Sequence, residues 1–365
     1  MAGSTYGTLF TITTWGESHG PALGVVIDGC PAGIPLTADY IQTFLNRRKP
    51  GQSKFTTARK ESDQVEILSG VLEDITTGTP ISLIVHNKDQ RSHDYSKIKD
   101  CYRPGHADYT FDQKYGLRDY RGGGRTSGRE TIGRVAAGAV ACRILETLGI
   151  YLTTYTKSIG PVMIPDSAYD FNAINENHLY MPNLDYAVQA SAYLENCIQK
   201  KDSSGGMIEC LIDGMPAGIG EPVFDKLDAA LAQAVMSIGA VKGIEFGDGF
   251  AVTSSTGSIN NDAFLSENGQ IRKATNHSGG ILGGLSDGSQ IIFRAAVKPT
   301  PSISQPQRTV NTSGDNIEIE ISGRHDPVVV PRAVVVVESM AAITLVDLLM
   351  QNMHSKIDYL KKIYL

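Results

Sequence analysis

The sequence predicts an α+β fold, a single compact domain built from two related halves, and three observations carry that reading. Short β-branched runs are present, yet they do not alternate regularly with helices as a doubly wound parallel sheet requires. The segment Ile27-Asp28-Gly29-Cys30-Pro31-Ala32-Gly33-Ile34 recurs as Ile212-Asp213-Gly214-Met215-Pro216-Ala217-Gly218-Ile219, seven of eight positions identical and 185 residues apart in a chain of 365. With 41% hydrophobic and 20% charged residues, the chain has the apolar mass for one large core.

The elements follow from local pattern. Each copy of the repeat comes after an apolar run (residues 23–27 and 208–212) and before a helix-like stretch (residues 37–46 and 224–235). The halves therefore divide at roughly 1–185 and 186–365 and pack about a pseudo-two-fold axis. Residues 9–14, 81–85, 290–296 and 317–321 read as strands. Ser127-Gly128-Arg129-Glu130 reads as a capping box. Ile132, Val135, Ala136, Ala139 and Val140 follow at helical spacing, and Gly149 offers a stop, so a helix is expected over residues 128–148.

Composition excludes several classes of function. A net charge of −6 argues against a dedicated duplex-binding protein, so no nucleic-acid partner is expected. The five cysteines are widely spaced with no C-x-x-C pair, which predicts reduced, buried thiols rather than a disulfide framework or a zinc ribbon. The first ten residues lack a basic residue and a signal-length apolar core. The most apolar stretch, residues 328–350, is interrupted by Pro331, Arg332, Glu338 and Asp347. A cytoplasmic protein that does not span a membrane is expected.

Charge is unevenly placed. Residues 47–60 hold six basic and no acidic side chains, and residues 91–134 hold ten basic against six acidic. The second cluster contains Arg121-Gly122-Gly123-Gly124-Arg125-Thr126-Ser127 and runs directly into the capped helix. Unpaired amides, a helix dipole and flanking arginines would converge there on an anion, most simply a phosphate. The turn is not a Walker loop, because Arg129 and Glu130 stand where lysine and Ser/Thr are needed.

Three histidines lie in polar loops marked by glycine or proline: His19 in GESHG, His106 in RPGHAD and His325 in RHDP. Beside arginine and aspartate they point to acid–base work on an anionic substrate. No H-E-x-x-H or paired Cys/His spacing is present, so no metal is expected. GESHG also fits G-x-S-x-G, but the segment after it reads as a turn into another strand. A nucleophile elbow needs a helix there.

Taken in order, GESHG, RRKPGQS, EILSGVLEDITTGTPI, DQRSHDY, RPGHADYT, KYGLRDYRGGGRTSGRETIGRVAAGA, AVKGIEFGDGF, NHSGGILGG, KPTPS and GRHDPVVVPRA span nearly the whole chain. In these motifs the sequence resembles the chorismate synthase family. The resemblance implies a β-α-β sandwich assembled as a homotetramer. It implies a lyase that converts 5-enolpyruvylshikimate 3-phosphate to chorismate by 1,4-elimination of phosphate, the last common step of aromatic amino-acid biosynthesis. Reduced FMN is the implied cofactor, supplied by an external flavin reductant, with associations that extend to FAD and NADP.

Roles transfer by motif. His19 resembles the acid that protonates departing phosphate, His106 the one that protonates reduced flavin, and Asp326 the aspartate that assists removal of the substrate proton. Ser18 and Ser127 are similar to serines of proton relays. The implied FMN contacts are Arg125, Thr126, Ser127, Gly239, Ala240, Gly283, Lys298, Pro299, Thr300, Pro301, Ser302 and Arg324. The implied substrate contacts are Arg48, Arg129 and Arg134, with Arg47 and Arg103 beside them. The NADP association falls on Arg48 and Lys54, and lysine in place of the family's usual arginine weakens it, since a lysine loses bidentate geometry.

Overall fold

The computed structural model describes residues 3–56, 61–88, 99–321 and 326–365. The first part of the chain lays down β1 (Thr5–Tyr6), β2 (Thr11–Gly16) and β3 (Ala22–Asp28), then α1 (Ala38–Arg48) and β4 (Val65–Ser69). A small hairpin of β5 (Val71–Leu72) and β6 (Ile75–Thr76) leads into β7 (Ile81–His86). These strands form an antiparallel sheet in the order β1-β2-β3-β7-β4. Helices α2 (Asp108–Tyr115) and α3 (Thr131–Thr147) follow.

The second sheet is drawn from β8 (Tyr151–Ile159), β9 (Val162–Met163), β10 (Gly206–Asp213), β11 (Val241–Phe246) and, later, β16 (Ile291–Val297). Between them lie α4 (Leu184–Gln199), α5 (Leu227–Met236), α6 (Gly257–Asn260), the arm of β12 (Phe264–Glu267) and β13 (Gln270–Lys273), and the hairpin of β14 (Ile281–Leu282) and β15 (Leu285–Ser286). The order is β11-β16-β10-β8-β9. Strand for strand, β8-β10-β16-β11 repeats β2-β3-β7-β4, and in each set a helix and then a small hairpin separate the same members. The second sheet takes its first strand from Tyr151, ahead of residue 186. The eight-residue repeat marks the turn after the second strand of each set, not the start of a half.

A final hairpin, β17 (Pro306–Val310) and β18 (Asn316–Glu320), precedes α7 (Val330–Gln351) and α8 (Ile357–Tyr364). Helix α3 packs on β2, β3 and β7, helix α7 packs on β8 and β10, and the two helices pack on each other. The helices thus form the middle layer of a β-α-β sandwich. Both are buried on nearly every face, so a one-sided apolar stripe is absent from their sequences. Among the described residues α7 is the one helix long and apolar enough to cross a membrane, and most of it lies inside the protein.

Local chemistry accounts for where the elements depart from expectation. Strand β2 begins at Thr11 rather than residue 9, because the amides of Leu9 and Phe10 donate to the Asp347 carboxylate on α7, at 2.7 and 3.0 Å. Helix α5 starts at Leu227, since Lys226 is extended and Phe224 stands exposed outside the helix. The expected 128–148 helix opens as a 3₁₀ turn over Gly128–Glu130 and becomes α-helical at Thr131. Only half of the capping box forms: Ser127 Oγ accepts the Arg129 amide at 3.4 Å, while Glu130 turns away to accept from Thr14 Oγ1 and Arg134 Nε.

All five cysteines are buried, and burial pushes the Cys30 thiol up to about 11.

Close approach of α3 and α7 depends on a missing side chain. A Cβ placed on Gly138 would lie 2.1 Å from Ser339 Cβ and 2.5 Å from its Cα. Gly138→Ala should therefore destabilise the fold by about 1–3 kcal/mol, the usual cost of overpacking, read from urea denaturation. Pairing it with Ser339→Gly should recover part of the loss.

Candidate active site

Three glycines in succession shape the turn ahead of α3. Gly122, Gly123 and Gly124 have φ of +85°, +86° and +52°, a left-handed run that side-chain-bearing residues rarely adopt. The turn satisfies much of itself: the Gly123 amide bonds Asp119 O, that of Thr126 bonds Gly123 O, and that of Ser127 bonds Gly124 O. The amides of Gly122 and Glu130 are likewise taken. Part of the set of unpaired amides expected here is thus taken up within the turn itself. Arg125 reaches back to the edge of β2, donating to Gly16 O at 3.2 Å and Thr14 Oγ1 at 2.8 Å.

What the turn does offer is room for a histidine. A Cβ on Gly122 would sit 2.3 Å from His19 Cε1, so the GESHG loop is seated directly on the glycines. Ser18 Oγ lies 3.2 Å from His19 Nδ1 and 3.4 Å from Gly122 O.

Asn87, just beyond β7, clamps that loop from the other side. Its Nδ2 donates to Gly20 O at 2.8 Å and Glu17 O at 3.0 Å, and its Oδ1 accepts from Arg129 Nη2 at 2.7 Å. Arg129 then lies 3.2 Å from Asp63 Oδ1 and 3.7 Å from Glu61 Oε1. Asp63 Oδ2 accepts from Arg48 Nη2 at 3.0 Å. Arg48 comes from α1, whose buried residues are Ile41, Phe44, Leu45 and Arg48. It occupies the fourth place in an otherwise apolar stripe, so the packing of the helix carries the guanidinium inside. Burial lowers its pKa to about 10, with the Arg332 and Arg129 charges adding to that and Asp63 opposing.

The network continues on the far side. Arg332 Nε donates to Arg48 O at 2.9 Å, and Arg332 Nη1 donates to Asp326 Oδ2 at 2.5 Å. Next to Asp326, Pro327 O accepts the Ser204 amide, and the adjoining Ser203 Oγ donates to Thr300 O. His106 Nε2 lies 2.7 Å from Ser302 Oγ, and Lys298 Nζ donates to Gly105 O at 2.7 Å. The Lys298 amide bonds Ala240 O. The GESHG, RPGH, 298–302 and Asp326 loops are therefore joined through Asn87, Asp63, Arg332 and Ser203.

A profile of the chorismate synthase family matches residues 10–350. The chain is 65% identical to the chorismate synthase of Lachnoclostridium phytofermentans over the full length of both, and 63% identical to that of Agathobacter rectalis over 100% of this chain and 99% of the relative. A crystal structure of chorismate synthase superposes with a TM-score of 0.77 at 30% identity, covering 98% of this chain and 96% of that one.

The chain belongs to the chorismate synthase family. Most residues that the family pattern singles out are gathered here, though not all. Gly239 and Ala240 adjoin Lys298 at one end of β16. Gly283 is at the tip of the β14–β15 hairpin, at the other end of that strand. Seven residues of strand, about 20 Å, separate it from residues 298–302 within one chain. Arg324 and His325 lie outside the described residues, as does the DQRSHDY motif. Lys54 is paired with Glu195 of α4.

The remaining arginines each meet a carboxylate: Arg47 grips Glu338 with two bonds of 2.9 and 2.7 Å, Arg134 bonds Glu130, and Arg103 bonds Asp108. Sequence reasoning missed Asp63, Glu61 and Asn87. Glu61 and Asp63 had a signal, acidic residues immediately after a basic run of fourteen positions. Asn87 had none.

The described residues suit a phosphate-bearing flavin. Thr300 Oγ1 is buried without a hydrogen-bond partner among the described residues, next to Lys298 and within the loop that holds His106.

Asp108 fixes the loop carrying His106, accepting from the Arg103 backbone and, at 2.8 Å, from its guanidinium. Burial acts to raise the Asp108 pKa, but the Arg103 bonds outweigh it and the net shift is downward. A depressed carboxylate stabilises the fold above its unfolded pKa, about 4, and loses that contribution as pH falls through the lower folded value. Asp108→Asn should thus lower the melting temperature at pH 7, with the gap from wild type closing below about pH 4.

Proposed function

We propose that the chain converts 5-enolpyruvylshikimate 3-phosphate to chorismate and phosphate by 1,4-elimination, as a carbon–oxygen lyase dependent on reduced FMN. The observation that carries this reading is the network in which two buried arginines, Arg48 and Arg129, join the His19 loop to Asp326 and the 298–302 loop. A substrate with two carboxylates and a phosphate gives up its hydration only where guanidinium groups replace it. Arg48, Arg129 and Arg134 supply them, with Arg47 and Arg103 behind. Family membership supports the product; the substrate and cofactor are inferred from it and from the chemistry of these residues.

His19, held through Ser18 against the glycine turn, donates a proton to the departing phosphate. His106, whose Nε2 lies 2.7 Å from Ser302 Oγ, would be the acid that protonates the reduced flavin. Asp326, fixed by Arg332, assists removal of the substrate proton, and Ser127 relays protons at the start of α3. Reduced FMN, held by Arg125, Thr126, Ser127, Gly239, Ala240, residues 298–302 and Arg324, would supply electron density as phosphate leaves. Gly283, about a strand's length from residues 298–302, is assigned to the same cofactor on the family pattern alone. On this reading the protein works in the cytoplasm as a homotetramer, each chain one domain of two related halves.

The deciding assay is anaerobic. Phosphate release and chorismate absorbance should appear with dithionite-reduced or photoreduced FMN and should stay near background with oxidised FMN and NADPH alone, because Lys54 lacks the bidentate geometry of the arginine usual at that position. Equal turnover without flavin would overturn the dependence on reduced FMN. Sustained turnover on NADPH, in a preparation free of reductase, would overturn the need for an outside reductant. His19→Ala and His106→Ala should each lower turnover about 100- to 10,000-fold at saturating reduced FMN with the fold intact, the scale of general acid–base catalysis.

A further inference from the structure

We infer that Asp63 is a positioning residue for the substrate: its carboxylate is the internal counter-anion that aligns Arg48 and Arg129. This rests on the assignment of those arginines to the substrate. Asp63 divides its two oxygens between them, Oδ2 accepting from Arg48 Nη2 at 3.0 Å and Oδ1 lying 3.2 Å from Arg129 Nη1. The side chains of Asp63, Arg48 and Arg129 are 0%, 1% and 7% exposed. All three charges are therefore largely desolvated.

The backbone is committed to the same task. Asp63 has φ of +44°, a left-handed conformation uncommon outside glycine and Asn/Asp. It is held there by Gln42 of α1, whose Nε2 donates to Asp63 O at 3.2 Å while its Oε1 accepts the Val65 amide at 3.0 Å. The helix that brings Arg48 inward therefore also sets the carboxylate that orients it.

The arginines keep capacity for a ligand. Arg48 Nη1 donates to Gly128 O at 3.2 Å, but its Nε is buried with no hydrogen-bond partner among the described residues. A buried donor without an acceptor is costly in the free protein and is relieved by an anion. With Asp63 as their shared counter-anion, hydrogen-bonded to Arg48 and ion-paired with Arg129, the two guanidiniums hold their spacing before substrate arrives, so less ordering remains to be done on binding.

The direction of the effect separates this role from simple electrostatics. Removing a carboxylate from an anion site should tighten binding if only net charge counts. If Asp63 aligns the arginines, binding should weaken. Asp63→Asn is the sharpest variant, because asparagine tolerates the left-handed backbone but must turn an NH₂ toward one of the guanidiniums.

The experiment measures the Kd of 5-enolpyruvylshikimate 3-phosphate by titration calorimetry, with KM and kcat from phosphate release. Asp63→Asn should raise Kd and KM about 10- to 100-fold, the scale of a lost charged hydrogen bond, with kcat at saturation nearly unchanged. In a cycle with Arg129→Gln, the double variant should bind little worse than the weaker single variant, because Asp63 acts through the arginine. Wild-type or tighter binding by folded Asp63→Asn overturns the inference. If that variant does not fold, Asp63→Gly, which suits φ of +44°, takes its place under the same criteria. Failure of both to fold would make the carboxylate a requirement of the fold and would also overturn the proposal. Should Arg48→Gln and Arg129→Gln bind the substrate as wild type does, the substrate assignment of the arginines fails. Loss of binding in those variants with none in Asp63→Asn defeats only the role of Asp63.

Discussion

A buried guanidinium must be answered by a carboxylate, and the architecture of this protein follows from meeting that condition several times in one place. Removing one partner of a buried pair leaves the other charge uncompensated, at a cost far above that of a surface ion pair. Arg48 and Arg129 are answered by Asp63 and Glu61, which share one short segment after α1, and Arg47 by Glu338 of α7, nearly 300 residues away. The Arg47–Glu338 pair joins α1 to α7, and Arg332 joins the start of α7 to the end of α1. The charge network thus also sets how the helix layer sits between the sheets.

The sandwich suits such a network because its middle layer is dry. Helices α3 and α7 approach closely where Gly138 meets Ser339, and Arg48 at the C-terminal end of α1 bonds residues at the start of each. Loops that emerge there are held by one another. Asn87 ties two carbonyls of the GESHG loop to Arg129, and Ser203 and Ser204 tie the 298–302 loop to the residues after Asp326. Positions set by several partners at once are the ones that can be pre-organised for chemistry.

Much of this is legible in the sequence. The repeat around residues 27–34 and 212–219 pointed to matching strand–turn–helix units, and the two sheets do share a strand order. The capped start of α3 was visible in Ser127, but its partner Glu130 was misread, because Arg134 and Thr14 compete for its carboxylate and a local pattern contains no information about Thr14. Strand β2 was placed two residues early for a similar reason: Asp347, more than 300 residues away, takes the amides that would have begun it. The glycine turn was recognised as special, while its role as a seat for His19 depended on a loop a hundred residues earlier.

By itself, then, the sequence determined the class of the fold, its repeated unit and the identity of the charged and imidazole groups, since these rest on periodicity, turn chemistry and residue type. The tertiary structure alone decided which cation meets which anion. Asp63 is one acidic residue among many in sequence. It becomes the counter-anion of two arginines only because α1 buries Arg48 on its apolar face, the turn before α3 delivers Arg129, and Gln42 holds the Asp63 backbone between them. Coulombic pairing depends on distance and burial, and both are created when separate elements pack.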